Sequence, residues 1–248
     1  MICNLTRREA LTLVLSTAGA ATLGRSAGAQ QTPVVNGVTR ILVGFAPGGS
    51  ADTLARLLAE RLRASGYAQT LIVENRVGAA GRIAIDAAKE AKPDGSTILL
   101  TPSSMIVIFP HLYQRSLTYD PFTDLIAVSP VAEFSFGMAV GPKAGMVTNV
   151  RDFIAWARQQ SDIPYGSAAA GSALHFLGVQ FAKATGLPMT HVPYKGSAPA
   201  LQDLMGGQTA VSFHPMIDLV PRHNAGRIKI VAVSSKQRLP RLPDVPTF

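Results

Sequence analysis

Two periods of hydrophobic positions take turns along this chain. Thr39-Arg40-Ile41-Leu42-Val43-Gly44-Phe45 is a nearly continuous apolar run, the pattern of a strand buried on both faces. A sharp turn, Ala46-Pro47-Gly48-Gly49-Ser50, leads into a helical period from Ser50 to Ser65. Leu54, Leu57, Leu58 and Leu62 make its apolar stripe, and Gly66 stands at its stop. The spacing then predicts a strand over 70–74, a helix over 81–91, a Pro-Asp-Gly turn at 93–95 and a strand over 96–101. Residues 120–130 read as loop and short strand. The apolar segment 133–141 is where the chain crosses to a second lobe. Beyond it, helices are predicted over 149–160, 172–185, 196–205 and 216–224, and strands over 164–167, 189–192, 209–213 and 228–233. Strand–helix–strand units of this size predict an α/β fold with parallel sheets and right-handed crossovers.

The first thirty residues follow neither period. Arg7-Arg8 precede an apolar run from Ala10 to about Leu23, and Ala27-Gly28-Ala29 offers a small-x-small exit. That is the layout of a secretory signal, and the run is too short for a membrane span, which needs about 20 apolar residues. The paired arginines leave the general and twin-arginine export routes both open. Cys3, the one cysteine, precedes the apolar run, so a lipoprotein acceptor is not indicated. Cleavage near Ala29 leaves a mature chain without thiol or disulfide chemistry.

Of the 248 residues, 47% are hydrophobic and 15% charged, enough apolar material for a core and too little charge for a disordered chain. The net charge of +8 is scattered: Arg56, Arg61 and Arg63 on one helix, Lys89 and Lys92 on another, and 222–229 later. No basic stripe interleaved with aromatics appears, which argues against nucleic-acid binding. A positive field suits an anionic solute, and equally a solvated basic surface.

In open α/β sheets, ligands sit beyond the carboxyl ends of strands, beside helix N-termini. Two strand-to-helix corners stand out: Phe45 to Asp52, with Gly48 and Gly49 permitting close backbone approach, and Tyr165 to Ser172. Amides opening a helix point outward and favour an anion, so the two corners are placed to clamp a small anion across a cleft. Asp52 doubles as a favourable charge in a first helical turn. Neither corner is a nucleotide signature. No GxSxG elbow or HExxH motif is present, and His111, His175, His191, His214 and His223 lack metal-ligand spacing. His191 and His214 each end or follow a predicted strand, where a histidine is either a satisfied structural group or a cleft-facing one. Carboxylates are few and unpaired, which favours binding over catalysis.

These segments carry a family resemblance. Val43 to Asp52, Val73-Glu74-Asn75-Arg76 with Gly78 and Gly81, Pro93-Asp94-Gly95, Tyr165-Gly166-Ser167 with Gly171-Ser172, His191 to Gly196, Gly206-Gly207-Gln208 and Leu242 to Thr247 run in order over 38–248. Together they resemble the substrate-binding receptors of tripartite tricarboxylate transporters, the Bug family. The resemblance implies a two-lobed type II periplasmic-binding-protein fold, each lobe a mostly parallel sheet flanked by helices, with no cofactor and no reaction. It implies that ligand carboxylates are held by backbone amides and ordered water. On one side that points to Ala46, Gly48, Gly49, Ser50 and Asp52, and on the other to Ala170, Gly171 and Ser172. Ser103 and Ser104, at another strand end, are added to the site. Tyr194 belongs to a family-like stretch and is expected to serve packing or the hinge rather than contact. Two departures concern the pocket: Ala168-Ala169-Ala170 replaces an Asn-containing turn, and His214-Pro215 replaces an acidic or amide position, placing an imidazole at the cleft. The third is length, since the family continues past the Pro-Asp-Val-Pro-Thr segment.

The expected organisation is therefore a signal peptide over 1–29, lobe one over 30–135, lobe two over 136–228 and a return to lobe one, truncated, over 229–248. The expected function is periplasmic capture of a small organic acid or acidic amino acid by a monomer, and its delivery to a membrane permease. The alternatives are a ligand-presenting signalling partner and a truncated fragment without function.

Overall fold

The computed structural model describes residues 35–248, all within one compact unit; the signal sequence expected over 1–29 lies outside the described residues. Elements are numbered from the first described one. β1 (Val35–Val43) is the central strand of a three-stranded parallel sheet, between β2 (Ala68–Asn75) and β3 (Thr97–Leu100). Its central place explains the continuous apolar run: Ile41, Leu42 and Val43 are all buried because alternate side chains fill both faces. α1 (Ser50–Ala64) carries the chain from β1 to β2, and α2 (Arg82–Lys89) from β2 to β3. Asp52 in the first turn of α1 and Arg61 and Arg63 in its last complement the helix dipole at both ends.

Two short helices follow, α3 (Ser104–Val107) and α4 (Phe109–Leu112). At about one turn each, neither repeats its period, so the apolar pattern could not announce them. Residues 125–135 form no regular element, contrary to the short strand expected there. A strand needs a hydrogen-bonded neighbour, and no described strand pairs with this stretch.

The second sheet has five strands in the order β6-β5-β7-β4-β8. β5 (Ile163–Ser167) lies parallel to β6 (Met189–Pro193) and β7 (Val211–Pro215), while β4 (Phe136–Val140) runs antiparallel to β7 and β8 (Lys229–Val233). Its helices are α5 (Val150–Ala157), α6 (Ala173–Thr185), α7 (Ser197–Met205) and α8 (Met216–Asn224). One core gathers Phe153, Tyr165, Phe181 and Phe213; another gathers Leu201, Leu204, Leu219 and Ile230. The core of the first sheet contains Ile41, Phe45, Met105 and Phe109, and also Ala169 from the loop after β5. The two sheets thus share packing where their loops meet.

Residues 229–248 do not return to the first sheet. β8 pairs with β4, Val233 bridges Thr247, and Leu242 and Val245 pack with Leu201 and Leu204. The apolar strand Lys229–Val233 is buried from Ile230 onward, and the free edge of β4 satisfies its backbone groups. The cleft-facing imidazole expected at 214 is corrected as well. His214 is wholly buried within β7, its Nε2 2.6 Å from Ser212 Oγ and its Nδ1 without a partner.

Burial, with a smaller contribution from Arg222, pushes the His214 imidazole down to about 3. Between about 3 and 6.5, His214 is therefore neutral in the fold where an unfolded histidine takes a proton. Its stability contribution is complete above the upper value and is lost as pH falls toward 3, by up to about 1.4 kcal/mol per pH unit. Thermal melts from pH 7.5 to 4.5 are expected to show a falling midpoint below pH 6.5. His214→Asn, which keeps a donor for Ser212 Oγ, whose own proton goes to Gly166 O, is expected to flatten that slope; an equally steep slope in the variant would remove His214 as its source.

Candidate functional site

Asp52 builds the corner after β1. Its Oδ2 accepts from Gly48 N and Arg56 Nε, each at 3.0 Å, and its Oδ1 from Arg56 Nη2 and Asn75 Nδ2, also at 3.0 Å. Asn75 Nδ2 donates in addition to Phe45 O at 3.0 Å. Burial alone raises the Asp52 carboxyl, but the bonds from Arg56, Gly48 and Asn75 outweigh it and hold it below the usual carboxylate range. With both oxygens engaged, Asp52 fixes the shape of the turn.

That turn is seated against the second sheet. Ala46 N donates to Lys195 O at 2.8 Å, and a Cβ on Gly49 would lie 3.5 Å from Ser197 Cβ. Asp218, in the first turn of α8 and 5% exposed, lies beside Ser50 and Ser197, the first residues of α1 and α7. Burial raises its carboxyl, with Ser197 and Ser50 pulling the other way. A carboxylate between two helix N-termini answers their positive ends.

A second seam runs along the other side. Ser104, buried, accepts through Oγ from Ala173 N at 3.2 Å. A Cβ on Gly171 would lie 2.6 Å from Leu112 Cδ2 and 3.2 Å from the Tyr113 hydroxyl. Ser172 caps α6, accepting from His175 N at 3.3 Å, and Gly171 N donates to His175 Nδ1 at 3.0 Å. His175 in turn stacks on His191 with ring centroids 3.9 Å apart, and His191 Nε2 lies 2.7 Å from Ser167 Oγ. Burial and then the neighbouring His175 push His191 down to about 4.

Between the seams lies a cavity of about 160 Å³. Its walls are four loops: Gly44-Phe45 after β1, Gly78–Gly81 after β2, Ala168–Ala170 after β5, and Pro193–Lys195 at the end of β6. Each leads from a strand into a helix N-terminus, of α1, α2, α6 and α7 respectively. The lining includes no Asp or Glu and a single cation, Lys195. Four loops that lead into helices thus wall an acid-free cavity, a setting in which free main-chain amides and helix dipoles favour negative charge.

Of the residues expected at the site, Ala170 lines the cavity. Ala46, Gly48, Gly49 and Ser50 lie in the first seam, and Ser104, Gly171 and Ser172 in or beside the second. Ser103 is exposed ahead of α3, and His214 lies in the core. The unexpected wall is Gly78–Gly81. Ala79 and Ala80 adopt φ of 48° and 57° between Gly78 at 146° and Gly81 at 92°, a left-handed run that costs a non-glycine residue energy. The paired glycines of Val77-Gly78-Ala79-Ala80-Gly81 were its signal in the sequence. Among the described residues, no three His, Cys, Asp or Glu side chains gather as a metal site.

The loop is held by contact with Gly44, where an added Cβ would fall 2.5 Å from Gly81 Cα and 2.8 Å from Gly81 O. Both neighbours are backbone and cannot swing aside. Gly44→Ala is expected to destabilise the protein by about 1–3 kcal/mol, as overpacking does, with urea unfolding as the measurement. An unchanged midpoint would show that the loop moves freely.

Residues 54–248 match the family model described as the tripartite tricarboxylate transporter family receptor. A UPF0065 protein of Bordetella bronchiseptica is 34% identical over 209 residues, which are 84% of this chain and 61% of that protein. BugT of Bordetella pertussis is 33% identical over 210 residues, 84% of this chain and 64% of its own. The chain therefore spans less than two thirds of the length of these relatives. Among solved structures, the periplasmic binding protein BugD is 32% identical with a TM-score of 0.78, covering 85% of this chain and 69% of that one. R. palustris Rpa4515 with adipate is 33% identical at a TM-score of 0.78, covering 86% and 71%. MatC from Rhodopseudomonas palustris, with bound malate, is 27% identical at 0.75, again over 86% and 71%. The α/β fold, with helices flanking its sheets, is that of the periplasmic binding proteins, and the chain belongs to the tripartite tricarboxylate transporter receptor family.

Proposed function

We propose that this protein is an exported receptor that binds a small carboxylate between its two sheets and delivers it to the permease of a tripartite tricarboxylate transporter. One observation carries the reading: the cavity is walled by four strand-to-helix loops and lined without a carboxylate. Backbone amides of Ala79, Ala80, Ala169 and Ala170 are the groups proposed to hold the anion, with Lys195 adding charge. The corner residues Ala46, Gly48, Gly49, Ser50 and Asp52 act by shaping and closing the cavity, together with Ser104, Gly171 and Ser172. Adipate and malate, seen with two structural neighbours, support a ligand of that size. Family membership supports a permease partner, and the signal-like residues 1–29 support export to the periplasm.

Binding is expected to raise the melting temperature by mass action, by an amount set by ligand concentration over Kd. A thermal-shift screen of the chain against malate, succinate, adipate, glutamate and aromatic acids, with matched neutral amides as controls, is the measurement. A shift from one or more acids and none from the amides is expected. A shift from the amides alone would contradict an anion site, and so would a cooperative melt that no acid moves.

A further inference from the structure

One charged side chain next to the cavity wall is held in place without an acidic partner among the described residues. Arg82 is the first residue of α2, directly after the Gly78–Gly81 wall. Its Nε donates to Ala79 O at 2.9 Å, and its Cζ lies 4.5 Å from the centre of the Tyr113 ring. Tyr113 is itself fixed, its ring edge-on to Phe109 with centroids 4.9 Å apart. The Tyr113 hydroxyl reaches the Gly171 turn of the second sheet, next to the cavity residue Ala170. The guanidinium is thus fixed between Ala79, which lines the cavity, and Tyr113, which reaches the Gly171 turn of the other sheet.

Its neighbours leave it without an acid. Arg56 pairs with Asp52, Arg76 and Arg40 with Glu74, and Lys89 with Asp124; among the described residues, no carboxylate pairs with Arg82. Asp86, one turn along α2, has its Oδ1 occupied by Thr118 Oγ1. Held by Nε on one edge and by the ring on one face, Arg82 keeps its two terminal nitrogens for another partner. A planar guanidinium fixed in this way presents the fork that a carboxylate accepts with both oxygens.

We propose that Arg82 is the specificity-determining residue of the site: it receives the second carboxylate of a dicarboxylate whose first is held by the loop amides, so that the receptor prefers dianionic over monoanionic acids. The proposal rests on the carboxylate-receptor reading above and adds to it a residue and a selectivity.

The test is calorimetric titration of the full chain with adipate and with hexanoate, which share six carbons and differ by one carboxylate. Wild type, Arg82→Gln, Arg82→Lys and Lys195→Gln are compared, with melting curves confirming that each folds. Wild type is expected to prefer adipate by about tenfold or more, the size of a charge-assisted pair. Arg82→Gln is expected to lose that preference by weakening adipate about tenfold while hexanoate stays within about twofold. Arg82→Lys, which keeps the charge and loses the fork, is expected to fall between. The proposal is overturned if Arg82→Gln weakens both acids equally, if it weakens neither, or if Lys195→Gln alone abolishes the preference. Equal wild-type affinity for both acids also overturns it while leaving carboxylate binding intact. Wild type binding neither of these acids overturns the proposal as well, and the carboxylate reading falls with it only where no acid of the thermal-shift panel binds.

Discussion

Four strand-to-helix loops have to be held around one small cavity. Each βα unit turns its helix N-terminus to the carboxyl edge of its sheet, and the two sheets face each other along those edges. Amides at the first turn of a helix have no partner within the helix, and the aligned peptide dipoles add a partial positive charge. Asp218 answers the starts of α1 and α7, and Ser172 and Ser104 bond the first amides of α6, while the cavity lining itself holds no carboxylate. On the proposed reading, the loop amides of this lining are the groups that meet an anion.

The seams explain how the walls keep their places. Ala46 and Lys195 are joined main chain to main chain, and Ser104 accepts from the first amide of α6. Asp218 sits between the first residues of α1 and α7. Asp52, engaged by Gly48, Arg56 and Asn75, stiffens the turn that enters the first seam. Residues that by position belong to a binding motif thus divide into those that line the cavity and those that hold its halves together. Substituting members of the second group acts on closure and stability more than on direct contact.

Much of this was legible in the sequence because the chemistry of βα units is local. The run at Ile41–Val43 marked a central parallel strand, and the small residues around Gly48 and Gly171 marked the two corners. What escaped depended on pairing and side-chain direction. Lys229–Val233 reads as a strand in either sheet, and only the unpaired edge of β4 decides its place. His214 reads equally as a cleft or a core residue, because one step of register separates the two faces of a strand. The left-handed Ala79 and Ala80 are ordinary letters whose conformation is forced by the contact between Gly44 and Gly81. Helices of four residues leave no period at all. Arg82 carries no motif, and its place next to the cavity wall emerges only from the fold.

The central claim is that the cavity exists because the two sheets close on each other at the first seam, and that a solute enters when they part. A cross-link tests it directly. A Cβ at Gly49 lies 3.5 Å from that of Ser197, within the span of about 3.5–4.5 Å that a disulfide bridges. In a chain carrying Gly49→Cys, Ser197→Cys and Cys3→Ser, the rate of carboxylate exchange is measured by stopped flow, oxidised and reduced. The account predicts that the disulfide forms readily, that exchange slows sharply when it is closed, and that reduction restores it. Exchange equally fast in both states, or thiols in a folded protein that refuse to join, would contradict it.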